Sequence, residues 1–438
     1  MIPEIEKASE HEIKSFQEEK LKALVRYVYE HSPYYRRVFE ENSIQPNAIN
    51  TLEALLKIPV TTKEQLQQFN EDFICVSKKE IIDYVTTSGT LGEPVMIALT
   101  NKDLDRLAYN EAISFACSEV SHEDVLQLMT TIDRRFMAGM AYFLGARELG
   151  AGIIRVGSGV PELQWDSIKK FEPTYLIAVP SFLLKLIEYA KSNGIDLKAS
   201  GVKGAICIGE PIREQDFSYN TLAKRIISDW DIELYSTYAS TEMSTAFNEC
   251  KYHQGGHHHP ELIIVEILDT FNNPVPNGEV GELVVTTLGV EAMPLLRFKT
   301  GDMVQAFTTP CQCGRNTLRL GAVVGRKKHM IKYKGTTLYP PAMFNVLRDF
   351  EEIEGYVFEI YHNDLGTDEI LVKIASKVQS EELMLHIRDH FRAKLRVLPK
   401  IEFHEKETIE ALQNPELSRK PKNIIDKRPI ASSKTKEA

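Results

Sequence analysis

Apolar residues fall into distinct textures along this chain. Near the N-terminus they recur at helical spacing: Leu21, Leu24, Val25 and Val28 form one stripe, which predicts an amphipathic helix over residues 10–31. From about residue 80 to 300, short apolar runs alternate with helical stretches. Gly152–Val156, Tyr175–Val179 and Ala205–Ile208 read as strands, and Ser181–Lys191 reads as a helix. That alternation predicts an α/β domain with largely parallel pairing. Leu262–Leu268 and Gly281–Thr287 flank the turn-rich Asn272-Asn273-Pro274 and Pro276-Asn277-Gly278, so an added antiparallel region is expected there. After Gly325 the texture changes. Strands over Tyr356–Tyr361, Ile370–Ala375 and Ile401–His404 surround one clear helix, Glu382–Leu395, which predicts a small α+β domain. The boundary is expected between residues 327 and 328, giving domains of 1–327 and 328–438. Ser432–Ala438 reads as a disordered tail.

Composition narrows the function classes. At 438 residues the chain is long enough for two or three domains. A formal net charge of -10 argues against nucleic acid as the main partner, but a nucleotide needs only a few local donors. No apolar run approaches the roughly 20 residues that span a bilayer, so no membrane partner is expected. The opening Met1-Ile2-Pro3-Glu4 has no basic flank before an apolar core, so no signal peptide is expected either. Six scattered cysteines do not make a disulfide framework and suit a reducing, cytoplasmic setting.

Five short motifs carry candidate chemistry. Thr86-Thr87-Ser88-Gly89-Thr90-Leu91-Gly92-Glu93-Pro94 packs hydroxyls and glycines into one loop. Backbone amides and hydroxyls of such a loop can surround phosphates, although it lacks the Gly-Lys-[Ser/Thr] ending of a Walker A loop. The plain alternative is a surface turn. Tyr235-Ser236-Thr237-Tyr238-Ala239-Ser240-Thr241-Glu242 joins an aromatic face, a hydroxyl and a carboxylate. Tyr238 can stack on a base, and Glu242 can hold Mg²⁺ through oxygen. Arg297-Phe298-Lys299-Thr300-Gly301-Asp302 places an Asp where it can accept both hydroxyls of a ribose. Gly325-Arg326-Lys327-Lys328-His329 lies at the change of texture, and Arg419-Lys420-Pro421-Lys422 near the end of the chain. Solvated basic turns are the plain alternatives for the last two. A sixth group is metal-like. Cys311 and Cys313, one residue apart, with Cys250 and His257, can build a tetrahedral Cys₃His site; His258 and His259 are rival ligands, and unrelated buried cysteines are the alternative. Cys75, Cys117 and Cys207 sit in apolar segments and read as packing residues.

Taken in order, these motifs resemble the adenylate-forming superfamily of acyl-CoA synthetases, luciferases and adenylation domains, and most of all its phenylacetate–CoA ligase family. The likeness covers nearly the whole chain, from Tyr34-Tyr35-Arg36-Arg37 through Ala292-Met293-Pro294-Leu295-Leu296-Arg297 to Ile424-Ile425-Asp426-Lys427-Arg428. It implies a large N-terminal adenylate-forming domain of mixed sheets flanked by helices, plus a small mobile α+β domain. Thr87, Ser88, Gly89 and Thr90 would hold the β- and γ-phosphates of ATP. Gly209-Glu210-Pro211 would form the adenine turn, with Tyr238, Ala239 and Ser240 beside it. Thr241 would contact the α-phosphate and Glu242 the magnesium. Asp302 and Arg326 would bind ribose. Lys328 matches the domain hinge, and Lys420 the C-terminal lysine that contacts the reacting carboxylate. Leu91, Ala239 and Lys328 depart from the commonest family residues and bear on substrate and rate. Several relatives carry a similar Cys, His, Cys-x-Cys set, which implies a structural zinc.

The implied reaction has two steps. A carboxylate attacks the α-phosphorus of ATP and pyrophosphate leaves. A thiol, usually that of coenzyme A, then takes the acyl group after the small domain rotates. A stand-alone adenylating enzyme serving a carrier protein or an amine is the second reading, and a silent nucleotide-binding protein the third. Related ligases are often dimers, so a homodimer is one expectation. Arg134–Phe143 either lines the acid pocket or is a packed helix, and the packed helix is favoured.

Overall fold

In the computed structural model, residues 2–87, 95–333, 336–363, 368–395, 397–414 and 422–428 are described. The chain divides into two compact units, Met1–Val323 and Val324–Ala438, so the division falls slightly before the expected one.

The first long helix of unit one is α1, Glu10–His31, started by a capping box in which Ser9 and Glu12 satisfy each other's backbone amides. Leu21, Leu24, Val25 and Val28 are its buried stripe. A hairpin follows: β1, Asp83–Thr86, pairs antiparallel with β2, Met96–Leu99. Then come helix α2 (Asn101–Cys117), β3 (Val125–Leu128), α3 (Met137–Leu149), β4 (Gly152–Arg155), α4 (Pro161–Phe171), β5 (Tyr175–Ala178), α5 (Pro180–Ser192), β6 (Gly204–Cys207), α6 (Thr221–Asp229) and β7 (Glu233–Ser240). Strands β4, β3, β5, β6 and β7 lie side by side and pair parallel. All four residues of β5 and of β6 are buried, as expected for strands covered by helices on both faces. This explains why they read as continuous apolar runs.

Parallel pairing stops at β7. The same sheet continues through β8 (Thr245–Asn248), β9 (Gly256–His257), β10 (Ile263–Leu268), β11 (Val280–Thr287), β12 (Phe298–Phe307) and β13 (Arg319–Leu320). Their order from β7 outward is β8, β9, β13, β12, β11, β10, all antiparallel. The expectation of largely parallel pairing therefore holds for half of a mixed sheet. The expected β10–β11 antiparallel pair is present.

Unit two contains α7 (Pro340–Arg348), β14 (Ile353–His362), β15 (Asp368–Ser376), α8 (Glu381–Leu395), β16 (Lys400–Phe403) and β17 (Ile424–Asp426). The sheet order is β16, β15, β14, β17. Ile370, Val372 and Ile374 alternate on one face of β15 and pack with Phe358 and Phe391.

Candidate active site and metal cluster

Strand β7 is where the sheet changes from parallel to antiparallel, and ligands of open α/β sheets bind outside the carboxyl ends of such parallel strands. Its last residues are Tyr238, Ala239 and Ser240. The Tyr238 hydroxyl donates to Asp302 Oδ2 at 2.7 Å. Asp302 reaches it through a bulge: Val284 pairs with Lys299 while Glu282 pairs with Met303, so Thr300-Gly301-Asp302 bows out of β12. Gly301 takes φ +78° there, which a side chain would resist. Thr300 Oγ1 accepts from the Asp302 amide at 3.1 Å and stabilises the bow. Tyr238 and Asp302, both expected at the nucleoside, are thus brought together.

A tight turn follows β7. Ser240 Oγ accepts from the Met243 amide at 3.4 Å, and Ser244 Oγ donates to the Thr241 carbonyl at 3.3 Å. Ser244 itself sits at φ +48°. The turn leaves Thr241 half-buried and Glu242 buried. Lys63 Nζ lies 2.9 Å from Glu242 Oε1 and is its hydrogen-bond partner among the described residues. Lys63 starts a short helix, Lys63–Gln68, behind a Thr62–Gln65 capping box. Sequence reading missed Lys63, and no local signal links it to Glu242 across 179 positions.

Thr87 closes the base of the expected phosphate loop: its amide donates to Val95 O at 3.0 Å, and its Oγ1 accepts from the Val95 amide at 3.1 Å. Ser88, Gly89, Thr90 and Leu91 lie outside the described residues, as does Lys420. Beside the loop, Arg135 O accepts from the Thr86 amide at 3.0 Å, and Arg134 and Arg135 both take φ +58°. Backbone held in that region tends to cluster at functional sites, and this pair opens the Arg134–Phe143 stretch that was read as either acid-pocket lining or packed helix. Residues 137–143 are helical, with Met137, Gly139, Ala141 and Tyr142 buried, in line with a packed helix. Gly209 has φ +74°, as a turn requires. The Glu210 carboxylate caps α5, accepting from the Ser181 amide at 2.9 Å and hydroxyl at 3.0 Å. Its side chain is therefore spent on the helix, and the backbone of the turn is what remains for a base. Arg326 and Lys328 belong to unit two, Lys328 within a single 3₁₀ turn, Lys327–His329.

The second constellation is the cysteine cluster. One ligand atom each from Cys250, His257, Cys311 and Cys313 lie within 4.8 Å of one another. Cys250 Sγ is 3.7 Å from Cys311 Sγ, and Cys313 Sγ is 3.5 Å from His257 Nε2. Burial lowers the His257 pKa, which keeps the imidazole neutral. Its other nitrogen, Nδ1, lies 3.3 Å from Thr317 Oγ1, so Nε2 faces the thiols. The hydrogen bond from Cys250, then that from His257, hold the Cys313 thiol well below its ordinary pKa. Arg315 Nη1 donates to Cys313 Sγ at 3.6 Å. The rival histidines are engaged elsewhere. His258 Nε2 bonds Ile263 O at 2.6 Å, and His259 Nδ1 bonds Glu6 Oε1 at 2.5 Å. Three soft sulfurs and one neutral nitrogen match the donor set of a structural Zn²⁺. A cavity of about 260 Å³, lined in part by Cys250, Cys313 and Arg315, borders the cluster. Cys117 packs beside it but donates its thiol to Asn248 O at 3.4 Å.

Tyr238, Asp302, Thr241 and Glu242 gather at the carboxyl end of β7, and the family and relatives that the chain matches make it an AMP-forming ligase that joins a carboxylic acid to a thiol. The AMP-binding enzyme family model matches residues 13–292, and the chain belongs to that family, among its phenylacetate–CoA ligases. A phenylacetate–coenzyme A ligase of Thermus thermophilus is 30% identical over 377 residues, covering 85% of this chain and 83% of that one. One from Aromatoleum evansii is 27% identical over 444 residues, 97% of both chains. Among solved structures, a 2-hydroxyisobutyryl-CoA ligase in its postadenylation state superposes with a TM-score of 0.84 at 23% identity, over 97% of this chain and 91% of that one. No described helix is long and apolar enough to cross a membrane.

Proposed function

We propose that this enzyme activates an aryl acid, phenylacetate or one of similar compact apolar body, as its acyl-adenylate and passes the acyl group to coenzyme A in the cytoplasm. The observation that carries the reading is the convergence of Tyr238, Asp302, Thr241 and Glu242 at the carboxyl end of β7, with the Tyr238–Asp302 bond at 2.7 Å. Asp302 and Arg326 bind the ribose, the Gly209–Pro211 turn and Tyr238 border the base, Thr241 contacts the α-phosphate, and Thr87 with Ser88, Gly89 and Thr90 holds the outer phosphates. Glu242 holds magnesium, which when bound offsets the negative charge that two approaching anions bring together. Lys420 adds a positive charge at the reacting carboxylate, and Lys328 serves as the hinge. Fixed geometry of this kind replaces the orientation that free reactants would have to find. Cys250, His257, Cys311 and Cys313 hold a structural zinc, since four protein ligands leave no open position.

The relatives named for phenylacetate and the methyl of Ala239 at the end of β7 support a compact acid. The decisive experiment is ATP–pyrophosphate exchange over a panel of acids, followed by coenzyme A-dependent AMP release. Aryl acids are expected to exchange fastest. Faster turnover of long-chain fatty acids would overturn the substrate class, and exchange without thiol-dependent AMP release would favour a carrier protein or amine as acceptor.

A further inference from the structure

Helix α2 presents a buried polar stripe where an apolar one would be expected. Asp103, Arg106, Asn110 and Ser114, spaced by three and four residues, are all buried. Asp103 accepts from the amides of Glu291 at 2.7 Å and Ala292 at 3.0 Å. Asn110 Oδ1 accepts from the Ala246 amide at 3.1 Å, and Ser114 O accepts from Asn248 Nδ2 at 3.4 Å. The stripe therefore grips backbone and side chains of β8 and of the segment before β12.

Arg106 is the centre of that grip. Its guanidinium donates from Nε to Leu288 O at 2.7 Å, from Nη1 to Ser244 O at 2.5 Å, and from Nη2 to Thr245 Oγ1 at 3.0 Å and Leu262 O at 2.6 Å. Four donors are met, and none of these partners is a carboxylate. Burial pulls its pKa down to about 10, the direction expected of a charge removed from water without a direct counter-ion. A side chain of this kind is costly to bury, and a well-packed apolar residue would serve stability as well or better. What the guanidinium supplies instead is a fork of fixed directions. One prong ends on Ser244, which occupies the left-handed region at φ +48°, two residues after Glu242. Strained backbone persists only where its surroundings over-determine it.

We infer that Arg106 is a positioning residue for the Thr241–Glu242 pair: it pins the strained carbonyl of Ser244 and so sets where the Glu242 carboxylate and Thr241 hydroxyl stand. Arg106 touches no reacting atom. The inference rests on the proposed roles of Thr241 and Glu242. Since a displacement of about 1 Å in a reacting group can lower the rate about 10²-fold, loosening the turn should be visible in adenylation alone.

The test compares Arg106→Lys, Arg106→Met, Thr245→Val and Glu242→Gln with the unaltered enzyme. Each is assayed for pyrophosphate exchange across a Mg²⁺ titration, for thioester formation from a presynthesised acyl-adenylate, and for its folded fraction. Arg106→Lys keeps the charge and loses the fork. It should lower the exchange rate by about 10- to 100-fold and raise the Mg²⁺ needed for half-activity, with the thioester step near normal. Thr245→Val, which removes one acceptor and leaves the other three, should move both quantities the same way by a few-fold. If Arg106→Met does not fold, these two milder variants still decide the matter. Exchange falling only in proportion to the folded fraction, with an unchanged Mg²⁺ requirement, would overturn the Arg106 inference. An unchanged Mg²⁺ requirement in Glu242→Gln would instead remove the reading of Glu242 on which it rests.

Discussion

Lys63 Nζ stands 2.9 Å from Glu242 Oε1, joining the start of a short helix to the turn after β7. Glu242 is buried, so its charge needs compensation, and the ammonium supplies it from one side of the carboxylate. Lys63→Met should leave the buried carboxylate less well oriented and partly uncompensated. A charge-assisted hydrogen bond of this kind is worth about 1.5–3 kcal/mol, so exchange should fall by roughly 10- to 100-fold. Steady-state exchange at saturating ATP and acid checks this. A variant with full exchange activity would show that Lys63 is only a surface partner.

Lys420 should be essential for adenylation and much less so for thioester formation. The register of Ile424-Ile425-Asp426-Lys427-Arg428 aligns Lys420, not Lys422, with the catalytic lysine that the resemblance implies. Loss of one charged stabiliser of a developing anion costs about 10²- to 10³-fold. Lys420→Ala should lose that much in pyrophosphate exchange and Lys422→Ala little, while presynthesised acyl-adenylate should still be converted to its coenzyme A thioester at a near-normal rate. Equal damage to both half-reactions would mean that Lys420 acts through folding or general binding.

One zinc per chain is expected in purified enzyme, measured by metal analysis. Cys311→Ser should abolish it. Thr317→Val should weaken it by about 10- to 100-fold while leaving all four ligands in place, because Thr317 bonds His257 Nδ1 at 3.3 Å and orients the ring. Protein that melts normally with no metal bound would remove zinc from the account.

The periodic parts of this fold were legible. The α1 stripe and the buried runs of β5 and β6 obey simple spacing rules, because burial on one helical face or on both faces of a strand leaves its mark on every position. The antiparallel side was legible only where β10 and β11 flank their turn, whereas β8, β9 and β13, at four, two and two residues, are too brief to show a period. At the site, motif residues stood out only where they are adjacent in sequence. Lys63 and Arg106 reach the Glu242 turn from 179 and, through Ser244, 138 residues away. Nothing local announces such partners. The choice of His257 over His258 and His259 was likewise open until the fold showed where each ring points.

Glu6 tests how the N-terminal segment is held. Its carboxylate is fully buried, with Oε1 2.5 Å from His259 Nδ1 and Oε2 2.6 Å from Arg315 Nε. Asn316 fixes the same segment through its amide to Glu6 O at 2.8 Å. Burial acts to raise the carboxyl pKa, but His259 and Arg315 outweigh it and bring it below the ordinary 4.5. A carboxylate depressed in the folded state contributes stability that is fully present above its unfolded value and is lost as pH falls through its folded value. Glu6→Gln should therefore be less stable at pH 7 by about 3 kcal/mol, the order expected when one partner of a buried ion pair is removed. Below about pH 4.5 the unfolded chain protonates Glu6 before the folded protein does, so the contribution shrinks until pH passes the lower folded value, and the gap between the two should narrow. Denaturant melts at a series of pH values measure that gap directly. A gap that stays constant from pH 7 down to the acid limit would show that the charge of Glu6 does not hold the segment, and that shape or the Asn316 bonds do.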